Sequence, residues 1–312
     1  MATSQLTTRS MSLQTPPWQA TVPRELVHKR AVSEVFLTAL GAPAPGSVVV
    51  HAQWPSGNQF YRQAGGSHYG INAALECIRQ ACVAATHTTL SVDLDDQFIM
   101  LGLTATLTPS ALVVRAEPTN VILQGSLERD GQTRTGRRIA WAFTVIAGGI
   151  EIGTGRGDLI AMDRARYEAM RATQMTETAA RLDPSARGRH APQPTPHEAA
   201  ALTSRIDDVR HTLNVDQTQA NYFDHPLDHV PGMLMIDGSC EVARHGHTEV
   251  TARPAIVTAV DVSCRHFAEL IAPCTVEIIA AESVSLTELT QQVSLSQSGV
   301  QCCTSRIRTE SI

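Results

Sequence analysis

The sequence lacks an apolar run long enough to cross a membrane, since no stretch approaches 18 consecutive apolar residues. It also lacks an apolar segment near its start, because the first twenty residues are rich in Ser, Thr and Gln and do not resemble a signal peptide. Strong charge is missing too: charged residues make up 18% of the chain and the net charge is −5. These absences predict a cytoplasmic protein with no membrane partner and no nucleic-acid partner.

The cysteines form no Cys-x-x-Cys pair, and Cys302 and Cys303 are adjacent, too close for an ordinary disulfide or metal clip. Seven cysteines without a secretory signal predict reduced thiols. The segment Gly153–Gly157 (Gly-Thr-Gly-Arg-Gly) lacks the spacing and the lysine of a nucleotide-binding P-loop. We interpret it as an irregular strand or a bulge, from which Arg156 could still reach a phosphate.

The chain has 312 residues, of which 43% are apolar, and this length allows two domains with sizeable cores. Three prolines within five positions, ending at Pro196, predict a linker over residues 181–204. Residues 1–22 are predicted to be a disordered arm. The remaining segments, 23–180 and 205–312, are predicted to be the first and the second domain.

A faint internal repeat relates the two domains. Residues 61–76 align without a gap on residues 222–237, at an offset of 161 (222 − 61 = 161), so that Glu76 corresponds to Asp237. Each domain then has the same order of features: a polar loop, an apolar helix that carries one acid, and a series of strands.

The hydrophobic pattern predicts one long helix in each domain, over Ile71–Ala85 and Gly232–Ala243. Each helix is followed by segments rich in strand-forming residues. These segments are Phe98–Leu107, Ala111–Arg115, Val121–Leu127, Ile139–Ala147, Gly149–Ile160, Ala255–Val262, Thr275–Ala281, Gln291–Ser296 and Val300–Ile307. One helix followed by antiparallel strands predicts an α+β protein, with each helix packed on an antiparallel sheet.

The loop before the second helix concentrates acid–base side chains, namely Asp224, His225, Asp228 and His229. It ends in Pro-Gly, and a helix that begins at Gly232 presents free backbone N–H groups, which can hold a carbonyl oxygen or a developing oxyanion. The histidines and aspartates could instead bind a metal ion. We favour acid–base or substrate-contact roles, because the prolines around them indicate a loop rather than one helix face.

Three polar residues of the first helix, Glu76, Arg79 and Gln80, are spaced to lie near one face. A carboxylate beside a guanidinium could position the phosphate or carbonyl oxygens of a substrate. The alternative is an ordinary ion pair on the helix surface. The apolar flanks of the helix favour a cleft.

Asp237 is the corresponding acid of the second helix. Cys240, three residues later, could be a nucleophile. A small buried residue that fills a gap in the core is the favoured interpretation of Cys240. Arg244 lies seven residues after Asp237, roughly on the same face, and could supply a cation.

Several segments together resemble the AfsA-like family of A-factor (γ-butyrolactone) biosynthesis proteins. They are His225–Leu234 (His-Pro-Leu-Asp-His-Val-Pro-Gly-Met-Leu), Val22–Lys29 with Val32–Thr38, and Leu75–Ala81 with His87 and Gln97–Met100 downstream. The resemblance implies two tandem hotdog-type domains, each an antiparallel sheet wrapped around a central helix. The chain departs from the family pattern at Asp237, where Glu is usual, and at Cys240, where Arg is expected.

The resemblance implies an acyltransferase that moves a β-ketoacyl group from an acyl carrier protein thioester to the hydroxyl of dihydroxyacetone phosphate, without a cofactor or a metal. Together with the residue patterns it predicts catalytic roles for Glu76, Arg79, Asp237, His225 and His229. It predicts substrate contacts by Gln80, His68, Asp228, Gly232 and Arg244. Two alternatives stay open: a hotdog dehydratase or thioesterase, and a non-enzymatic family member that binds acyl chains or a regulatory partner.

Overall fold

The computed structural model describes residues 17–181 and 201–312; the predictions for residues 1–16 and 182–200 lie outside the described residues. The strands, in chain order, are β1 (Leu37–Gly41), β2 (Ser47–Trp54), β3 (Arg62–Gln63), β4 (His68–Tyr69), β5 (Gln97–Leu107), β6 (Thr119–Gln132), β7 (Arg137–Ala147), β8 (Ile150–Met162), β9 (Thr203–Arg205), β10 (Arg210–Leu213), β11 (Ala255–Cys264), β12 (Cys274–Ser283), β13 (Glu288–Gln297) and β14 (Val300–Ser311). The α-helices are α1 (Ile71–Leu90), α2 (Arg164–Arg181) and α3 (Gly232–Thr251).

Twelve strands form one antiparallel sheet in the order β1-β2-β6-β7-β8-β5-β11-β14-β13-β12-β10-β9. The first six belong to the first domain and the last six to the second, and β5 joins β11 with Leu103 opposite Val262. Helix α1 contacts strands of the first half of the sheet and α3 contacts strands of the second half. The predicted α+β class, with two tandem hotdog-type domains, is confirmed.

Both central helices begin at matching points of the repeat. Helix α1 begins at Ile71 and α3 at Gly232, and the two starts are 161 residues apart (232 − 71 = 161). Gly70 and Pro231 precede them as N-caps, and neither has a side chain that accepts a hydrogen bond from the helix backbone. Each domain therefore presents an uncapped helix start. None of the helices in the described ranges is long and apolar enough to cross a membrane.

Glycines on β8 let helix α1 lie close against the sheet. A Cβ atom on Gly155 would lie 2.2 Å from Cδ1 of Ile78, and one on Gly157 would lie 2.4 Å from Sγ of Cys82. The segment predicted to be an irregular strand or bulge is part of β8, whose register against β7 shifts next to Gly153. These glycines therefore serve the packing of the helix on the strand.

We expect Gly155→Ala to lower the free energy of unfolding by about 1–3 kcal/mol, the usual cost of forcing a methyl group into a filled core. Gly131→Ala is the matched control, because Gly131 also lies in a strand and a Cβ there meets no atom within 4 Å. Urea unfolding of the two variants measures the difference. Equal stabilities would contradict the close packing of α1 on β8.

One predicted strand is wrong. Residues 111–115 do not form a strand, because Pro109 begins a 3₁₀ turn that ends at Leu112, and only Val113 makes an isolated bridge. Helices α1 and α3 also run further than predicted, to Leu90 and Thr251.

Several elements have no counterpart in the sequence-based prediction: β1, β2, β3, β4, α2, β9 and β10. Helix α2 illustrates the reason, since Arg171 is its only buried residue and it has no apolar stripe to mark it as a packed helix.

The domain boundaries drawn from the sequence cut through structured segments. Trp18, within the predicted arm, donates a hydrogen bond from Nε1 to the backbone oxygen of Ala52 at 3.2 Å. Helix α2 lies almost wholly within the predicted first domain, yet its Arg171 binds Glu269 of the second domain. Strand β9 begins at Thr203, inside the predicted linker.

Candidate active site

A cleft of about 300 Å³ lies where the two domains meet. It is formed by α1, by β5 and β8, by the loop before α3, and by residues at the end of β11. Its apolar lining includes Val83, Phe98, Met100, Leu103, Leu159, Met233 and Met235. Its polar lining includes His28, Lys29, Glu76, Arg79, Asp224, His225 and His229. The cleft thus unites the predicted acid and arginine of the first helix with the loop histidines of the second domain.

Glu76 is buried and its carboxylate is saturated with donors. Arg79 donates from Nε to Oε2 at 2.9 Å and from Nη2 to Oε1 at 2.8 Å. Gln80 donates to Oε1 at 2.7 Å, and Nζ of Lys29, the single lysine of the sequence, lies 3.3 Å from the same oxygen. Glu76 and Arg79 are therefore not an exposed pair on a helix surface.

Burial raises the pKa of Glu76, but Arg79 and Lys29 lower it more strongly, and the pKa is about 2. A carboxylate with this pKa stays ionised and accepts a proton poorly at neutral pH. Glu76 thus fixes two cations rather than moving a proton. Within the described part of the chain, Nη1 of Arg79 has no hydrogen-bond partner and is available to a ligand.

The loop before α3 holds two histidine–aspartate pairs. Nδ1 of His225 lies 2.5 Å from Oδ1 of Asp224, and Nδ1 of His229 lies 2.6 Å from Oδ1 of Asp228. A carboxylate on Nδ1 fixes the ring and leaves Nε2 for a substrate. Asp224 and Asp228 thus each bind a different histidine. The residues that the structure describes contain no group of three or more His, Cys, Asp or Glu side chains placed to hold one metal ion.

Arg171 of α2 anchors this loop and was not predicted from the sequence. Its Nε donates to Oδ2 of Asp228 at 2.8 Å, and its two Nη atoms donate to the two carboxylate oxygens of Glu269 at 2.9 and 2.8 Å. Burial raises the pKa of Asp228, but His229 and Arg171 hold it well below its usual range. Asp228 itself does not line the cleft, and its carboxylate contacts both Nδ1 of His229 and Nε of Arg171.

His28 and His87 form a histidine–histidine pair, with their Nε2 atoms 2.9 Å apart. Neither ring was assigned a role from the sequence. Nδ1 of His87 lies 2.9 Å from the backbone oxygen of Val92, which can only accept, so His87 carries its proton on Nδ1. Burial lowers the pKa of both rings, and both are neutral at pH 7. His28 therefore donates from Nε2 to His87 and keeps an unprotonated Nδ1 at the cleft.

The start of α3 supplies backbone donors to the same cleft. The helix's own hydrogen bonds begin with Met235 N donating to Pro231 O at 3.1 Å, so the N–H groups of Gly232 and Met233 are free of them. Both of these residues line the cleft. A Cβ on Gly232 would lie 2.6 Å from Cε of Met100, so glycine lets the apolar lining approach the helix start.

Asp237 lies outside this cleft, in a second pocket that Cys240 and Arg244 also line. Its Oδ2 accepts hydrogen bonds from the hydroxyl of Tyr222 at 2.7 Å and from Nδ2 of Asn72 at 3.3 Å. Burial raises the pKa of Asp237 to about 7, although these two hydrogen bonds lower it. The two acids of the repeat are thus unlike: Glu76 is a permanent anion, whereas Asp237 exchanges a proton near neutral pH.

We expect Asp237→Asn to weaken the pH dependence of stability. The pKa of Asp237 rises from 3.8 to about 7 on folding. Between these pH values the folded protein holds a proton that the unfolded chain has released, so stability falls as pH rises. Asn cannot ionise, and the variant should lose less stability than the wild type between about pH 5 and about pH 8 in urea unfolding. Identical slopes would contradict the raised pKa.

Two predicted substrate contacts lie away from both pockets, whereas Cys240 lines the second pocket as a buried thiol. Cys240 is buried and burial raises its thiol pKa, which favours the core-filling interpretation over a nucleophile. Gln80 and His68 line neither pocket. The amide of Gln80 donates to the backbone oxygen of Glu34 at 2.7 Å and accepts from the backbone N of Phe36 at 2.9 Å, so it holds the chain beside Glu76.

Two half-sheets around two central helices, with a cleft at a helix start, define a double hotdog protein. Two solved structures share this fold. One is an acyl-ACP thioesterase from Bacteroides thetaiotaomicron, with a TM-score of 0.51 and 14% identity, covering 84% of this chain and 98% of that one. The other is a 12:0-ACP thioesterase from Umbellularia californica, with a TM-score of 0.51 and 11% identity, covering 85% of this chain and 94% of that one. Identities this low show the fold alone.

The A-factor biosynthesis hotdog domain model, AfsA, matches residues 12–162 and 170–312, and the chain belongs to this family. Two relatives are named 2-oxo-3-(phosphooxy)propyl 3-oxoalkanoate synthase. The one from Streptomyces virginiae is 30% identical over 266 residues, covering 83% of this chain and 87% of the relative. The one from Streptomyces coelicolor is 26% identical over 265 residues, covering 82% of this chain and 81% of the relative. Such relatives place the chain among enzymes rather than non-enzymatic binding proteins.

Proposed function

We propose that this enzyme transfers a β-ketoacyl group from an acyl carrier protein thioester to the hydroxyl of dihydroxyacetone phosphate. The relatives' name describes the ester that this transfer would form, a 3-oxoalkanoate joined to a 2-oxo-3-(phosphooxy)propyl group. No metal or redox chemistry is needed for such an exchange of esters.

The observation that carries the proposal is the composition of the cleft. Arg79 offers a free guanidinium nitrogen, and Lys29 is held beside it by Glu76. Phosphate prefers such cations. The methionines, leucines and Phe98 of the same cleft provide an apolar lining suited to an acyl chain. One cavity can thus accommodate a phosphorylated acceptor and an acyl donor together.

The side chains support a simple sequence of steps. The acceptor hydroxyl attacks the thioester carbonyl, whose oxygen is stabilised by the N–H groups of Gly232 and Met233. The imidazole of His225, oriented by Asp224, takes the hydroxyl proton and returns it to the departing sulfur as the C–O bond forms and the C–S bond breaks. We favour His225 because its partner Asp224 lies close to the proposed phosphate cation: burial lowers the pKa of Arg79, and Asp224 is one of the anions, after Glu76, that raise it. His229 is assigned a substrate contact.

Mass spectrometry of the products tests the proposal. A β-ketoacyl thioester of acyl carrier protein is incubated with the protein, with and without dihydroxyacetone phosphate. We expect the phosphorylated ester only when the acceptor is present. Free β-keto acid in both reactions would indicate a thioesterase, and a dehydrated thioester would indicate a hydro-lyase; either result would overturn the proposal.

A further inference from the structure

The second pocket has a cavity of about 470 Å³ and lies at the start of α1, as the first cleft lies at the start of α3. Its lining includes residues 70–72 at the start of α1, residues 59, 60, 62 and 63 in and before β3, and the α3 residues Asp237, Cys240 and Arg244. Each of the two domains therefore has a pocket at the start of its central helix. The second pocket differs from the first in its charges.

The cations of the second pocket are not neutralised by its acid. Arg244 is half-buried, and within the described ranges its guanidinium makes no hydrogen bond and no ion pair. It lies near enough to Asp237 to lower the pKa of that carboxyl without bonding to it. Arg62 donates from Nη1 to the backbone oxygen of Gly66 at 2.9 Å and from Nη2 to that of Ser56, while its buried Nε has no partner in the described part of the chain.

The acids of this pocket do not compete for those cations. Glu241 accepts hydrogen bonds from the backbone N of Leu202 at 3.1 Å and from both N and Oγ1 of Thr203, at 2.9 and 2.7 Å. Burial raises the pKa of Asp237 to about 7, so a large share of this carboxyl is protonated at neutral pH, and in that state it is a donor rather than an anion. The buried Oδ1 of Asn72 also receives no hydrogen bond from the residues described, so it can accept one from a hydroxyl group of a ligand.

We propose that the second pocket binds a small phosphate monoester that carries a hydroxyl group, with Arg244 and Arg62 on the phosphate and Asn72 on the hydroxyl. A tetrahedral phosphate has enough acceptor oxygens for guanidinium donors from two directions and for a protonated carboxyl. This site is separate from the acyl-transfer cleft, and the proposal stands whether or not the proposed reaction is correct.

Phosphate stoichiometry tests this site. Calorimetric titration with inorganic phosphate, and then with glycerol 3-phosphate, is compared for wild type, Arg244→Gln, Arg79→Gln and the double variant. We expect two phosphates per wild-type chain, at least a tenfold loss of affinity at one site in each single variant, and no binding in the double variant. Arg253→Gln, an exposed arginine, is the control and should bind like the wild type.

Thermal melting of each variant checks its fold; Arg244 has no ion-pair partner in the described chain, so its replacement should not lower stability. A single wild-type site that disappears in Arg79→Gln would overturn the second site. Two sites whose phosphate affinities are unchanged in Arg244→Gln would also overturn it. Absence of any phosphate binding would overturn it as well. Acyl transfer measured in the same preparations reports separately on the proposed function.

Discussion

Replacing Glu76 by Gln should abolish acyl transfer and lower the free energy of unfolding by about 3–5 kcal/mol, the usual cost of removing one partner from a buried ion pair. Gln offers one acceptor oxygen and no charge, so Arg79 and Lys29 would lose their shared counter-ion in a buried position. The pKa of Glu76 falls from 4.5 to about 2 on folding. Its stabilising effect is therefore complete above about pH 4.5 and disappears as pH falls through about 2.

Glu76→Asp is the matched variant, because it keeps the charge and retracts it by one methylene, as Asp237 does in the second domain. It should retain more stability than Glu76→Gln. Turnover is compared per folded molecule, with the folded fraction taken from circular dichroism at the assay temperature. Wild-type turnover by folded Glu76→Gln would show that Glu76 does not organise the cleft.

Replacing His225 by Gln should reduce turnover by about a hundredfold to ten-thousandfold, the range expected for loss of a general base. Asp224→Asn should have a smaller effect of the same kind, because it leaves the ring in place without its carboxylate partner at 2.5 Å. The apparent affinity for the acyl thioester should change little in both variants, since neither residue belongs to the apolar lining. Steady-state kinetics against each substrate separates these effects.

His245→Gln is the control for this series. His245 is exposed on α3 and stacks on His211 with ring centres 6.1 Å apart, and it lines neither pocket. Its replacement should leave turnover unchanged. If His225→Gln behaves like His245→Gln while His229→Gln loses activity, the base is His229 and the assignment of the two histidine–aspartate pairs must be exchanged.

The central elements were predictable because their signals are local. The apolar helix with Glu76 and Arg79, the Pro-Gly junction at Gly232 and most strands follow from short-range patterns, and the structure confirms those elements. The repeat offset also predicted the same order of features in both domains, namely a polar loop, an apolar helix with one acid, and strands. The sequence did not distinguish their electrostatics, because the pKa of Glu76 depends on Lys29, which lies 47 residues away in the chain (76 − 29 = 47).

Residues that act through distant contacts were missed for the same reason. Arg171 lies on a polar helix without an apolar stripe, and only the fold brings it to Asp228 and Glu269. Burial keeps His28 neutral, and its contact with His87, whose own proton faces the backbone oxygen of Val92, leaves Nδ1 of His28 as an acceptor. The strand wrongly predicted after Pro109 reflects a proline that begins a 3₁₀ turn, where propensity alone favoured an extended chain.

The most direct test of the account is the preference for a phosphorylated acceptor. Ester formation is measured with dihydroxyacetone phosphate and with dihydroxyacetone, for wild type, Arg79→Gln and the control Arg156→Gln. Arg156 does not line the cleft; it is paired with Glu128 and with the cleft residue Asp158, which Arg138 also binds through both carboxylate oxygens. A charge-assisted contact contributes about 1.5–3 kcal/mol, so the preference should fall about ten- to a hundredfold in Arg79→Gln. It should stay at the wild-type value in Arg156→Gln. An unchanged preference in folded Arg79→Gln would contradict the assignment of the first cleft as the site of phosphate recognition and acyl transfer.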